Sequence, residues 1–334
     1  MEKILVWHQG ALGDLMLSLP AIYGIKNCRP GSHLHLVSRT DLSDVILENG
    51  LVDEITSNER GFLADLFAES KSLPGTLRRF LAGFDRAFVF MRRIDSDYLE
   101  NLRASIPEIY SIKTIPDNRV KMHASQFQME QLKVAGILGD RKMPLLDVLR
   151  CSAPDHGGKA VIAVHPGSGG KKKCWPIDNF LALIKLLNFH KSYYCSIILG
   201  PAEEQEMYER AIAFIAGSDI KAGIIRNASV TDIASMLKMS SLYIGNDSGI
   251  THLASMIGVP TVAIFGPTDY EIWGPEGGPV RIVRSDYPCS PCQADIFKEC
   301  SASKCLENLD VRKVLDSVEE LLQAPEVDFG NRIQ

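Results

Sequence analysis

The chain has no long hydrophobic run among its 334 residues. No apolar stretch reaches the ~18 residues that a membrane-spanning helix needs. The N-terminus also lacks the pattern of a signal peptide, because charged Glu2 and Lys3 lead into only four apolar residues before His8 and Gln9. These two absences lead us to expect a cytoplasmic protein without a membrane span.

An excess of basic residues is also missing. The 36 basic and 41 acidic residues give a net charge of −5, which disfavours nucleic acid as a partner. In a cytoplasmic protein, the eight cysteines are expected to be thiols or metal ligands rather than disulfides. Cys289, Cys292, Cys300 and Cys305 are close in sequence, and such a group fits a structural metal site or a redox cluster. Their spacing is not that of a common zinc ribbon, so unliganded thiols remain an alternative.

The alternation of short apolar runs with helical patterns predicts an α/β protein with two doubly wound domains. Residues 151–159 are polar and rich in proline and glycine, and they form the best linker. We therefore expect an N-terminal domain at 1–150, a C-terminal domain at 151–310, and a terminal helix and tail at 311–334. Because ligands bind at the carboxyl ends of strands in such sheets, the two domains are expected to face a central cleft. A predicted helix at 13–27 contains Pro20, which indicates a kink or a break.

The most informative motif is Gly245-Asn246-Asp247-Ser248-Gly249-Ile250-Thr251-His252, between a predicted strand and a predicted helix. A small-residue turn of this kind presents backbone N–H groups and the positive end of a helix dipole. Asp247, Ser248 and His252 add side chains that bind hydroxyls or phosphate oxygens. The motif therefore favours a ligand that carries phosphate.

A second loop, His165-Pro166-Gly167-Ser168-Gly169-Gly170 followed by three lysines, also suits an anion. It is not a Walker loop, since the Gly-Lys-Ser/Thr ending is missing. A solvated basic loop is the alternative interpretation. A third loop, at residues 200–204, carries Glu203 and Glu204. A carboxylate in this loop can bind ribose hydroxyls, and the alternative is a negative charge that only favours the start of the next helix.

A fourth motif, Gly10-Ala11-Leu12-Gly13-Asp14, directly follows the first predicted strand. Its glycines permit close approach of a ligand to the backbone. Asp14 falls in the first turn of the next helix, where a carboxylate is favoured by the helix dipole alone. The motif lacks the full Gly-x-Gly-x-x-Gly pattern of dinucleotide binding, so a nicotinamide oxidoreductase is disfavoured.

Together these loops resemble those of the ADP-heptose:lipopolysaccharide heptosyltransferases, glycosyltransferase family 9. The similarity extends through Trp175-Pro176 and through Phe265-Gly266-Pro267-Thr268-Asp269, and the four late cysteines also look like the tail of many members. The resemblance implies a GT-B fold with two Rossmann-like domains. It further implies inverting transfer of heptose from ADP-heptose to the lipopolysaccharide inner core, on a Kdo or heptose acceptor, without a metal or other cofactor.

The resemblance also implies roles for individual residues. Asp14 matches the proposed catalytic base, and Lys173 matches a lysine that contacts phosphate, although Lys172 is a close alternative. The expected substrate-binding residues are Gly13, Ser168, Glu204, Asp247, Ser248, Gly249 and His252. Arg92 and Arg93 are expected to contact the anionic acceptor, with Arg60 or Lys121 as further contributors. A lipid-linked acceptor implies transient contact with the cytoplasmic face of the inner membrane.

Two other functions fit the same loops. One is a GT-B enzyme that uses a different nucleotide sugar, including a sugar-nucleotide epimerase, because fold alone does not fix function. The other is a noncatalytic protein that binds a nucleotide sugar, which the presence of Asp14 disfavours.

Overall fold

Strands and helices alternate through both halves of the chain. The structure is a computed structural model that describes residues 1–39, 42–57, 66, 73–94, 96–117, 121–137, 142–148, 156–191, 193–201, 203, 205–292, 294–300 and 303–323. The chain divides into two compact units, Met1–Pro144 and Leu145–Gln334. Each unit is an α/β domain with its own parallel sheet.

Unit 1 has a parallel sheet whose described strands lie in the order β3-β2-β1-β4-β5. The strands are β1 (Lys3–His8), β2 (His33–Ser38), β3 (Glu54–Ser57), β4 (Arg86–Met91) and β5 (Glu108–Lys113). The helices are α1 (Leu12–Cys28), α2 (Ser43–Glu48), α3 (Gly75–Leu81), α4 (Ser96–Arg103) and α5 (Ala124–Leu132). The strand order reverses direction between β1 and β4, which is the switch point where open α/β sheets bind ligands.

Unit 2 has a parallel sheet in the order β11-β10-β9-β6-β7-β8 across the residues described. The strands are β6 (Val161–His165), β7 (Tyr194–Leu199), β8 (Ala222–Arg226), β9 (Leu242–Asn246), β10 (Thr261–Phe265) and β11 (Val280–Arg284). The helices are α6 (Ile177–Lys191), α7 (Gln205–Ala216), α8 (Val230–Lys238), α9 (Gly249–Met256), α10 (Tyr270–Trp273), α11 (Ala294–Glu299), α12 (Lys304–Glu307) and α13 (Val311–Gln323). This is the strand order of a Rossmann fold, and its switch point lies between β6 and β9.

The central strands are buried because helices cover both faces of a parallel sheet. All five residues of β9 and of β10 are buried. The terminal helix α13 belongs to the core of unit 2, where it packs against α6, β9, β10 and β11. Its buried residues Val314, Leu315, Val318 and Leu321 follow the helical period. Across the described part of the chain, no helix combines the length and apolar character needed to cross a bilayer.

Two local predictions concern helices of unit 1. The sequence left a kink or a break open at Pro20. Helix α1 runs unbroken through this proline, so there is no break, and the kink stays a prediction. Proline removes one backbone hydrogen bond, and α1 offsets that loss by burying nine side chains. The sequence also predicts a helical, amphipathic region at 58–84 with breaks at Gly61, Pro74 and Gly75, and α3 begins at Gly75 with Pro74 as its N-cap. Much of the helical region predicted at 58–84 lies outside the described residues.

Candidate active site

The loops singled out in the second half of the sequence meet at the switch point of unit 2. Strands β6 and β9 are neighbours, with His165 opposite Gly245. The loop that follows β6 and the turn that follows β9 therefore leave the sheet side by side at its carboxyl edge. This is the edge at which α/β sheets bind nucleotides and other phosphate ligands.

Asn246, the last residue of β9, holds the β6 loop in place. Its side chain is fully buried, and its Nδ2 donates to the carbonyl oxygen of Pro166 at 2.7 Å. Its Oδ1 accepts from the backbone N–H of Trp175 at 2.9 Å. Asn246 thus joins both ends of the loop that carries the lysines. The sequence analysis assigned no role to Asn246, although a polar residue at the end of a buried strand next to the switch point could have indicated one.

Asp247 is the centre of a polar cluster drawn from three loops. Its carboxylate Oδ2 accepts from Lys173 Nζ at 2.8 Å and from Thr268 Oγ1 at 2.7 Å. Its backbone oxygen accepts from Ser168 Oγ at 2.6 Å. The structure therefore brings together Ser168, Lys173 and Asp247, which the sequence analysis selected, and adds Thr268, to which it gave no role.

The two candidate lysines differ in the partners of their ammonium groups. Lys172 points elsewhere, because its Nζ donates to the backbone oxygens of Phe297 and Lys298, each at 3.0 Å. The Lys173 side chain is about one-third exposed while its partner Asp247 is 8% exposed. An ammonium group has three donors, so Lys173 can hold Asp247 and still offer N–H groups to an anion.

Helix α9 begins directly after Asp247. Ser248 is the N-cap, and its Oγ accepts from the backbone N–H of Thr251. Thr251 Oγ1 lies 3.0 Å from Ser248 Oγ and 3.0 Å from the hydroxyl of Tyr243. Gly249 is the first helical residue, so it sits at the positive end of the helix dipole.

His252 lies one turn into α9 and is buried. Its backbone N–H bonds to the oxygen of Ser248. Ser248, Gly249 and His252 are thus all within the first turn of a helix that starts beside the Lys173–Asp247 pair. A helix start next to an ammonium group forms an environment suited to a diphosphate.

Glu203 lies in the loop that follows β7, next to the loop that follows β6. Its carboxylate accepts from the backbone N–H of Gly200 and is almost fully buried. A Cβ atom on Gly167 would lie 1.7 Å from Glu203 Oε1, so any larger residue at that position would have to displace the Glu203 side chain. The neighbouring residue, Glu204, which was selected for ribose, lies outside the described residues.

His165, at the end of β6, is neutral in this environment. Burial lowers its pKa, and this outweighs a hydrogen bond to the carbonyl of Ile198 and the nearby carboxylate of Glu203. Nδ1 lies 3.0 Å from the Ile198 oxygen and donates to it. The proton is thus on Nδ1, and the 3.9 Å approach of Nε2 to Glu203 Oε1 is not an ion pair.

In unit 1, Asp14 lies in the first turn of α1, just beyond the carboxyl end of β1. Its side chain is half-buried, as is Gly13. A Cβ atom on Gly10 would lie 2.5 Å from Asp14 Cβ and 3.0 Å from Asp14 Oδ2. The turn therefore needs glycine at position 10 so that the Asp14 side chain can fold back over the backbone.

Arg92 and Arg93 follow β4, the strand next to β1, and both are exposed. They flank the switch point of unit 1 on the side opposite β2. Lys121 is also exposed, and Arg60 lies outside the described residues. No described contact joins the two arginines to Asp14, so their assignment to the acceptor stays a prediction.

In the described part of the chain, Cys289, Cys292, Cys300 and Cys305 form no disulfide. Burial first, and then the neighbouring Cys289 thiol, raise the pKa of Cys292 to about 11. Among the described residues, no group of three or more His, Cys, Asp or Glu side chains is arranged to hold a metal ion. The use of the four thiols as a structural cluster stays a prediction.

Comparison with known proteins agrees with this architecture. A lipooligosaccharide heptosyltransferase 2 from Campylobacter jejuni is 24% identical over 327 residues, which cover 96% of this chain and 98% of the relative. The solved structure of a family 9 glycosyltransferase from Veillonella parvula matches with a TM-score of 0.76 at 20% identity, over 96% of this chain and 97% of the other. The Escherichia coli ADP-heptose lipopolysaccharide heptosyltransferase II gives a TM-score of 0.71 at 18% identity, over 96% and 98%.

These structural matches confirm the predicted fold class, two consecutive Rossmann-like domains of the GT-B type. The sequence profile of glycosyltransferase family 9 (heptosyltransferase) matches residues 115–304, more than half of the chain. This stretch contains the Lys173, Asp247 and Thr268 cluster and the start of α9. The chain therefore belongs to glycosyltransferase family 9, the heptosyltransferases, and is a transferase.

Proposed function

We propose that this enzyme transfers heptose from ADP-heptose to a Kdo or heptose acceptor in the lipopolysaccharide inner core, with inversion and without a metal ion. The observation that carries the proposal is the convergence of Lys173, Asp247, Thr268 and the start of α9 at the switch point of unit 2. The names of the relatives supply the chemical identity of the donor and acceptor, since they are heptosyltransferases of lipooligosaccharide and lipopolysaccharide.

The donor diphosphate is assigned to unit 2. Lys173 and the N–H groups at the start of α9 would take up the charge that develops on ADP as the glycosidic bond breaks. Asp247 would hold Lys173 toward that charge, and Ser168 would lie near the phosphates. Glu203 or Glu204 would bind the ribose, while Ser248, Gly249 and His252 would line the diphosphate and sugar positions.

The acceptor is assigned to residues 1–150, and Asp14 is assigned as the general base. An inverting transfer needs a base that removes the proton of the attacking hydroxyl. Asp14 lies in a glycine turn at the carboxyl end of β1, with its carboxylate folded against Gly10. Gly13 precedes it, and Arg92 and Arg93 would attract the carboxylates and phosphates of the acceptor. The transition state should resemble an oxocarbenium ion.

The cellular setting follows from the proposed substrates. ADP-heptose is the expected donor in the cytoplasm, and a lipid-linked acceptor requires transient contact with the inner face of the membrane. Binding of the chain to vesicles that carry the acceptor, compared with vesicles that lack it, tests this part separately.

The direct test uses the purified chain, ADP-heptose and a panel of truncated core acceptors, with the product measured by mass. A gain of one heptosyl residue on a single acceptor would support the proposal and identify the acceptor. UDP- and GDP-sugars serve as controls in the same assay and in thermal unfolding, because a true donor stabilises the fold that binds it. Transfer from one of these sugars, and none from ADP-heptose, would refute the assigned donor.

A further inference from the structure

A buried histidine at the end of β1 lies directly beneath the proposed base. His8 is fully buried, and its Nε2 lies 3.1 Å from Ser18 Oγ. The Ser18 hydroxyl donates to the backbone oxygen of Asp14 at 2.8 Å. His8, Ser18 and Asp14 therefore form a continuous hydrogen-bonded chain from the end of the strand to the first turn of α1.

The direction of these hydrogen bonds fixes the tautomer of His8. A serine hydroxyl has one hydrogen, and Ser18 gives it to the oxygen of Asp14. At the His8–Ser18 contact the imidazole must therefore be the donor, so its proton is on Nε2. Burial lowers the pKa of His8 to about 4 and outweighs the smaller, raising effect of the nearby Asp14 backbone, so the ring is neutral at pH 7.

This neutral tautomer leaves His8 Nδ1 as a buried acceptor with no hydrogen-bond partner among the described residues. An unpaired buried polar atom reduces stability, and an apolar ring of similar size would avoid the loss. The same ring also supports the glycine turn, because a Cβ atom on Gly10 would lie 2.8 Å from His8 Cε1 as well as 3.0 Å from Asp14 Oδ2. The imidazole and the carboxylate thus contact the same point of the turn.

We propose that His8 is a positioning residue for Asp14: its Nε2–H group holds Ser18, and through Ser18 it fixes the turn of α1 that carries the base. This inference rests on the proposed function, because it assumes that Asp14 accepts the proton of the acceptor. The imidazole transfers no proton itself, and it makes its contribution by orientation. Small displacements of a reacting group reduce kcat strongly.

The test measures steady-state transfer from ADP-heptose to the preferred truncated core acceptor. It compares four single variants, the double variant of His8→Phe with Ser18→Ala, and Asp14→Asn as the reference for loss of the base. His8→Phe removes the donor and the unpaired acceptor together, and Ser18→Ala removes the relay. His8→Gln keeps an N–H group at the position of Nε2. His35→Phe is the matched control, because His35 is also buried and its Nε2 lies 2.9 Å from a hydroxyl, that of Thr56, which is not part of the candidate site.

We expect His8→Phe and Ser18→Ala each to lower kcat about tenfold or more, with the KM for acceptor and the Kd for donor unchanged. The double variant should lose no more than either single variant, because both break the same chain. His8→Gln should keep most of the wild-type kcat, and His35→Phe should have the wild-type kcat. In thermal unfolding at pH 7, His8→Phe should be at least as stable as the wild type.

Three results would overturn the proposal. Full kcat in His8→Phe, in the same assay in which Asp14→Asn is inactive, would show that the base is positioned without His8. If His8→Phe and His8→Gln lost kcat to the same extent and also lost thermal stability to the same extent, His8 would be a structural residue only. Turnover of Asp14→Asn at the wild-type rate would instead refute the base itself, and with it the role given to His8.

Discussion

At the scale of single residues, the unit 2 site depends on the pairing of one lysine with one aspartate. Lys173 and Asp247 are 2.8 Å apart, and the aspartate is buried while the lysine reaches the surface. The desolvated carboxylate needs its cationic and hydroxyl partners, since a buried charge that loses its partner is strongly destabilising. The pair therefore stabilises the fold, and under the proposed function the same lysine would also bind the donor diphosphate.

We predict that Lys173→Ala weakens ADP binding by about tenfold or more, because it removes a charged hydrogen bond to the diphosphate. Lys172→Ala is the matched control, since the Lys172 ammonium bonds to the backbone near residues 297 and 298 instead. Calorimetric titration with ADP measures both. Equal ADP affinity in the two variants would contradict the assignment of Lys173.

The sequence identified most of this cluster but not all of it. Ser168, Lys173 and Asp247 lie in glycine-rich or small-residue turns, a local signal that a single sequence displays. Thr268 and Asn246 act through partners more than 20 positions away, and such pairing depends on strand order. The spacing of the lysines could not separate Lys172 from Lys173, because that choice depends on the 3-10 turn at Lys171–Lys173.

At the scale of elements, the strand-end loops fit together with little free space. The Cα of Gly167 lies against the buried Glu203 carboxylate, whereas Gly169, two residues later, has open space where its Cβ would be. Both glycines belong to the same loop and look equivalent in the sequence. The structure distinguishes them by what lies next to each backbone.

Substitution of these two glycines should therefore have different outcomes. Gly167→Ala forces Glu203 to move, and we expect it to lower the free energy of unfolding by about 1–3 kcal/mol and to weaken ADP binding. Gly169→Ala should be close to neutral in both measurements. Denaturant unfolding and ADP titration test the pair, and a Gly167→Ala variant indistinguishable from Gly169→Ala would refute the close contact with Glu203.

The elements themselves were largely predictable. Short apolar runs located the central strands of both sheets, because these strands are buried on both faces. Strands β3 and β5 lack such an apolar run, since they lie at the edges of the sheet and keep exposed or half-exposed residues. At Pro20 the sequence left a kink or a break open, and burial along the 17-residue helix α1 explains why the helix is not broken there.

At the scale of the whole molecule, buried neutral histidines make stability depend on pH. The pKa of His8 is about 4 in the fold, against 6.5 for the free side chain. Because the unfolded chain binds this proton at a higher pH than the fold does, the His8 contribution to stability is nearly constant above about pH 6.5 and falls as the pH drops toward 4. His165 acts in the same direction, because burial lowers its pKa too.

We predict that His8 alone lowers the free energy of unfolding by about 2 kcal/mol between pH 7 and pH 5. His8→Phe should remove that part of the pH dependence while His165 and the carboxylates keep theirs. Denaturant unfolding of the wild type and the variant at both pH values measures the difference. Parallel losses in the two proteins would show that His8 is not held neutral by the fold.

The central claim is that this family 9 enzyme moves heptose from ADP-heptose with Asp14 as the base. The most direct test measures ADP release from ADP-heptose, with and without the core acceptor, for the wild type and Asp14→Asn. We predict acceptor-dependent ADP release by the wild type, and a loss of about two or more decades in kcat in Asp14→Asn with unchanged donor affinity. ADP release at the wild-type rate by Asp14→Asn, or ADP release by the wild type that does not depend on the acceptor, would contradict this claim.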